Sequence, residues 1–121
     1  MPRVCHFEIP SGDPDKAIAF YSSVFGWKFD KWDGPVEYWM VTTGEGEGGI
    51  DGGLMRCHDP EQPATNVIDV PSVDEYTAKI TDAGGEVVVP KTAVPGVGWL
   101  AYFKDTDGIL TGIMQPDESA A

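Results

Sequence analysis

Apolar and polar positions recur with two different periods along the chain, and each change of period falls at a turn-forming residue. Val4 to Ile9 alternates in character and stops at Pro10-Ser11-Gly12, which predicts a strand. The spacing then becomes helical from Asp13 to Gly26. Ala17, Phe20, Tyr21 and Val24 recur three and four apart, the pattern of one buried stripe. Asp13 is placed to cap the first turn, Pro14 suits the first helical position, and Gly26 suits the left-handed position past the end. Trp27 to Trp32, Glu37 to Thr43 and Gly49 to Cys57 read as three strands, separated by Asp33-Gly34-Pro35 and by the glycine-rich stretch Gly44 to Gly49. His58 to Ala64, with Pro60 and Pro63, reads as a connector between halves.

The same order returns afterwards. Thr65 to Val70 predicts a strand, ending at Pro71-Ser72. Val73 to Ala83 predicts a helix with Val73, Tyr76, Thr77 and Ile80 on one side, closed by Gly84-Gly85. Glu86 to Pro90, Gly98 to Lys104 and Leu110 to Gln115 complete three more strands, and Asp105-Thr106-Asp107-Gly108 supplies hairpin chemistry between the last two. The expected organisation is one domain, residues 1–121, built from two βαβββ modules at about 4–57 and 65–116. Gly53-Leu54-Met55 is echoed by Gly112-Ile113-Met114 at a separation of 59 positions, the same as between the strand starts His6 and Thr65.

Composition narrows the classes of function. The chain has 121 residues, one domain's worth, and an apolar fraction of 41% with four Trp, four Tyr and five Phe can build a core. No apolar run approaches the roughly 20 residues that cross a bilayer, and no apolar signal region follows Met1. A cytoplasmic location is the default expectation. Twenty acidic residues against eight basic ones give a net charge of −12, which repels nucleic acid and anionic membranes alike. It reads either as a solvated acidic coat or as attraction for a cationic ligand. Cys5 and Cys57 form no CxxC pair and are expected to be free thiols. There is no GxSxG elbow, P-loop, GxGxxG or HExxH. The acidic loop Gly44 to Gly49 would repel a phosphate, and nothing places a base beside Cys57 to make it a nucleophile.

Ala17-Ile18-Ala19-Phe20-Tyr21 with Val24-Phe25-Gly26-Trp27, then Ala83-Gly84-Gly85 and Phe103-Lys104-Asp105-Thr106-Asp107-Gly108, occur in an order that resembles the vicinal oxygen chelate superfamily. That superfamily includes glyoxalase I, bleomycin-resistance proteins and extradiol dioxygenases. Gly26-Trp27 and Gly98-Trp99 are similar to its small glyoxalase-like subfamily. The resemblance implies an α+β fold, with the two βαβββ modules forming a curved mixed sheet around a cavity, and a homodimer. It also implies that metal-using members draw one ligand from the first strand and one from the last strand of each module. In this chain those four positions fall at His6, Gly53, Thr65 and Gly112. A one-residue slip in that matching brings in Gly52, Asn66 or Thr111. Only His6 is a good ligand, and three or four donors are needed to hold a transition metal.

The remaining candidates follow from strand period. Glu8 shares a face with His6, so the pair reads as a general base with an orienting carboxylate, as ligand anchors, or as a remnant position bonded to backbone. Asp51 and Met55 flank Gly53 at period 2, and Asp51 with His6 would be half of a degraded metal site. Leu110, Gly112 and Met114 would line the second half of the cavity. Gly53 and Gly112 leave room there for an apolar or flat ligand, unless Trp or Met side chains fill it. Trp27, Trp39 and Trp99 read as core or as stacking surfaces, and His58 reads as an exposed loop histidine. Three functions stay open: a metal-free small-molecule-binding protein for an apolar or aromatic ligand, acting by sequestration or sensing as in the bleomycin-resistance branch, with His6, Glu8, Asp51, Met55 and Met114 as ligand-binding residues; a glyoxalase- or lyase-type enzyme using His6, Glu8 or Asp51 as acid and base or as a partial metal site; and a protein whose partner is another protein. No cofactor is expected under the first reading.

Overall fold

The computed structural model describes residues 2–34, 36–57, 59 and 62–121. The element order is β1 (Arg3–Ser11), α1 (Pro14–Phe25), β2 (Lys28–Lys31), β3 (Tyr38–Thr42), β4 (Gly52–Arg56), β5 (Thr65–Asp69), α2 (Val73–Asp82), β6 (Glu86–Val94), β7 (Gly98–Lys104) and β8 (Leu110–Pro116). This is an α+β chain in which a strand, a helix and three strands occur twice. Two compact units are present, His6–Ala64 and Thr65–Ala121, the second taking in the residues up to Cys5.

In the first unit β4 is the hub. It runs parallel to β1, with Glu8 opposite Gly53, and antiparallel to β3, with Met40 opposite Gly53; β2 then pairs antiparallel with β3. α1 forms because its ends are chemically closed. The Asp13 carboxylate accepts from Lys16 N at 3.3 Å, Pro14 needs no hydrogen bond, and Gly26 takes φ 72° to end the last turn. Trp27 stacks on Tyr21 at 5.0 Å between ring centres and meets Phe7 at 5.8 Å, and Leu54 and Val41 are fully buried. The expected stripe is only partly buried. Ala17 and Tyr21 are half-buried, but Phe20 and Val24 are each 56% exposed, as the helix turns only one edge of its apolar face inward.

The second unit repeats the connectivity. β8 runs parallel to β5 and antiparallel to β7, and β7 pairs antiparallel with β6. α2 starts where the Ser72 hydroxyl accepts from Glu75 N at 3.1 Å and the Gln115 side chain accepts from Val73 N at 3.0 Å. Val70, Val73, Ala101 and Ile113 form the core, and Tyr76, Ile80, Trp99 and Phe103 pack on it. β6 continues past Pro90 to Val94, four residues beyond the expected end. Register shifts between Val87 and Val89 and between Val89 and Thr92 carry the missing N–H of Pro90 through the strand. Asp105 organises the β7–β8 hairpin by accepting from the N–H groups of Asp107 and Ile109, with Gly108 at φ 81°. The connector reading of His58 to Ala64 rests partly on His58 and Pro60, which lie outside the described residues.

Candidate functional site

Strand period divides β1 into two faces. Phe7 points toward the helix side, where its ring covers Gly52, and its neighbours His6 and Glu8 point the other way. On that second face a tyrosine from β3 joins them. His6 Nε2 lies 2.7 Å from the Tyr38 hydroxyl, and that hydroxyl donates to Glu8 Oε2 at 3.4 Å. His6 is therefore bonded to a side chain, which departs from the backbone partner of the remnant-ligand reading.

Gly53 explains why the tyrosine fits. A Cβ built on Gly53 would stand 1.8 Å from the Tyr38 hydroxyl and 2.0 Å from its Cζ, so the hydroxyl occupies the space a side chain at 53 would need. The room expected at Gly53 is thus filled, and by a tyrosine rather than a Trp or Met. Tyr38 reaches it diagonally, since its own cross-strand neighbour is Met55. Trp32 meets Tyr38 edge to face at 6.2 Å and helps fix the ring. In the second unit Tyr102, directly opposite Gly112, stands 3.1 Å from where its Cβ would be, with Val67 at 3.3 Å. A glycine inside a strand, backed by an aromatic across the ladder, was the signal available for Tyr38.

The electrostatics follow from this packing. Burial pushes His6 below the ordinary imidazole range, while the charges of Glu8 and Asp51 oppose that shift. Burial and the adjacent Glu8 carboxylate raise the Tyr38 phenol far above its ordinary value, so it stays a neutral O–H donor. Asp51 acts on His6 only through its charge. It precedes β4, is exposed, and accepts from Thr43 N at 2.9 Å and from the Thr43 hydroxyl at 3.3 Å. The Thr43 bonds brace the acidic loop, whose residues 43–49 line a hollow of about 180 Å³ with Asp51, one that does not include His6.

Met55 is half-buried on the His6 face, and Met40, opposite Gly53, is 48% exposed there. Met114 and Leu110 are half-buried in β8, with Met114 paired to Leu100 and Asp69. Trp27, Trp39 and Trp99 all have local partners: Tyr21, Lys31, and Asp117 with Lys91 respectively. Cys5 and Cys57 are free thiols. His58 lies outside the described residues.

A divalent metal does not fit these side chains. Of the four positions the family resemblance points to, Gly53 and Gly112 have no donor, and Thr65, which is buried, offers only a hydroxyl. His6, whose Nε2 is bonded to Tyr38, is then a single imidazole donor, short of the three or four a transition metal needs. Among the described residues no group of three or more His, Cys, Asp or Glu is placed to hold an ion. No helix among them is long and apolar enough to cross a membrane.

Comparison with known proteins agrees with this architecture. The family model described as the Glyoxalase/Bleomycin resistance protein/Dioxygenase superfamily matches residues 3–113. A Mycobacterium tuberculosis protein provisionally named glyoxylase CFP32 is 27% identical over 116 residues, covering 90% of this chain but 42% of its own length. The chain thus spans less than half of that relative. A glyoxylase-like domain-containing protein of Didymella fabae is 28% identical over 112 residues, covering 88% of each. Methylmalonyl-CoA epimerase from Mycobacterium tuberculosis shares the fold, with a TM-score of 0.72 at 14% identity over 93% of this chain and 87% of that one.

Proposed function

The chain belongs to the Glyoxalase/Bleomycin resistance protein/Dioxygenase superfamily, and from that premise we propose that it binds a small organic molecule without a metal, anchored on the His6–Tyr38–Glu8 face. The observation that carries the proposal is the Tyr38 hydroxyl. It stands in the Gly53 space, where the resemblance would put a metal-ligand side chain, and it is bonded to His6. A hydrogen-bonding anchor flanked by Met40 and Met55 suits a ligand with a polar edge and an apolar or aromatic body. Such a protein would sequester or sense its ligand, as a homodimer that sedimentation equilibrium would reveal.

A second reading is favoured by the same three residues. An imidazole, a phenol and a carboxylate in one hydrogen-bonded chain can move a proton, so a glyoxalase- or lyase-type enzyme with His6 and Glu8 as acid and base shares the site. Asp51 contributes its charge in either case.

A thermal-shift screen in the presence of EDTA, run on the native chain and on His6→Gln, tests the proposal. A ligand that raises the melting temperature of the native chain by several degrees, and does so much less for His6→Gln, supports it. Ligand shifts that appear only with added divalent metal would refute it.

A further inference from the structure

We propose that Tyr38 is a positioning residue that holds the His6 proton on Nε2, leaving Nδ1 as the proton acceptor of the site. The inference rests on the small-molecule reading above and specifies the chemistry of what is bound. The Tyr38 hydroxyl has one proton and two neighbours, His6 Nε2 at 2.7 Å and Glu8 Oε2 at 3.4 Å. An ionised carboxylate only accepts, whereas a neutral imidazole nitrogen either donates or accepts. The arrangement that satisfies all three groups runs in one direction: Nε2–H donates to the phenol oxygen, and the phenol O–H donates to Glu8. The reverse arrangement would turn the tyrosine lone pairs toward the Glu8 carboxylate.

Tyr38 has little freedom to choose otherwise. Gly53 receives its hydroxyl, and Trp32 packs against its ring. The charged groups acting on His6 are Glu8 and Asp51, and Asp51 is held by Thr43. Nδ1 has no hydrogen-bond partner among the described residues, and no buried side-chain nitrogen or oxygen there is left unpaired, so Nδ1 is not sealed off from solvent.

A lone-pair nitrogen within reach of solvent, with carboxylates nearby, recognises a molecule that presents a proton. The matching class is a neutral O–H, N–H or carbonyl-activated C–H compound, such as an enol, a phenol or a carbon acid. An anion would meet the field of Glu8 and Asp51. If the proton transfers fully, the ligand X–H bond breaks and its electron pair stays on X. The Nδ1–H bond forms, and the ligand anion is left beside an imidazolium, with no oxidant or reductant involved.

The test is a long-range ¹H–¹⁵N correlation spectrum of the labelled full chain carrying His58→Gln, which leaves His6 as the sole histidine. It is recorded at a pH where the ring is neutral. The proton is expected on Nε2 with a preference of about tenfold or more. A proton on Nδ1, or an even mixture, would overturn the assignment. In Tyr38→Phe the ring should become a mixture of tautomers with a lower titration midpoint, because the imidazolium loses an acceptor. An unchanged ring there would also overturn it. The spectrum and the EDTA screen fail separately: an Nε2 proton with no ligand shift supports this assignment while ending the binding proposal, and an Nδ1 proton with a clear ligand shift does the reverse.

Discussion

Replacing Gly53 with alanine inserts one methyl group where the Tyr38 hydroxyl now sits, at a built separation of 1.8 Å. No real pair of atoms tolerates that approach, so something must move. The obstructing atoms are the far end of a side chain rather than backbone, so the tyrosine ring should swing out while the strands stay paired. The cost then has two parts, overpacking of the ring and loss of the His6–Tyr38–Glu8 bonds, which together amount to about 1–3 kcal/mol. Gly52→Ala is the contrasting case. There the methyl would lie 2.5 Å from the carbonyl oxygen of Phe7, a backbone atom of the paired strand, so β1 and β4 must separate and the loss should reach about 3 kcal/mol or more. Gly49→Ala meets nothing nearer than 3.9 Å and should stay within about 0.5 kcal/mol of the native chain. Urea unfolding at constant m-value ranks the three variants, and tyrosine fluorescence or the His6 ring spectrum shows whether Tyr38 has left its place. If Gly53→Ala unfolds like Gly49→Ala and keeps the His6–Tyr38 bond, the idea that the glycine exists to admit the tyrosine is wrong.

Other outcomes follow from burial and charge. Leu54→Ala and Val67→Ala remove fully buried side chains and should each cost about 2–4 kcal/mol in urea unfolding, the larger loss at leucine. Phe20→Ser removes a ring that is 56% exposed and should change stability by less than about 1 kcal/mol, so a large loss would show that something covers this helix face. Because burial depresses the His6 pKa in the folded state, the unfolded chain takes up its proton first as pH falls. Stability from this group is complete above the unfolded value of about 6.5 and declines as pH drops below it, so His6→Gln should flatten that part of the stability profile; an identical profile would contradict the assigned burial.

Local chemistry made much of the fold readable. The Asp13 cap, Pro14 and Gly26 fix both ends of α1 from within the segment, and Gly98 to Lys104 is bounded by turns that leave no other choice. What escaped was whatever depends on a neighbour. The apolar spacing of Phe20 and Val24 marks a stripe without saying how far the sheet reaches beneath it. Pro90 reads as a strand end, yet β6 carries it through because the pairing slips there. His6 and Glu8 could be placed on one face by period alone. Tyr38 could not, because its reach to Gly53 depends on the diagonal register of β3 against β4. Asp51 was read as part of a strand from Gly49, whereas β4 begins at Gly52 and Asp51 bonds to Thr43.

The central claim is that the His6 face works without a metal, and metal content tests it most directly. The untreated protein is analysed for bound elements, then again after dialysis against Ni²⁺, Zn²⁺, Mn²⁺ and Fe²⁺, alongside His6→Ala. Less than a tenth of an equivalent of any metal, unchanged by the substitution, is the expected result. One equivalent that disappears with His6→Ala would contradict the account and return the site to metal-assisted chemistry.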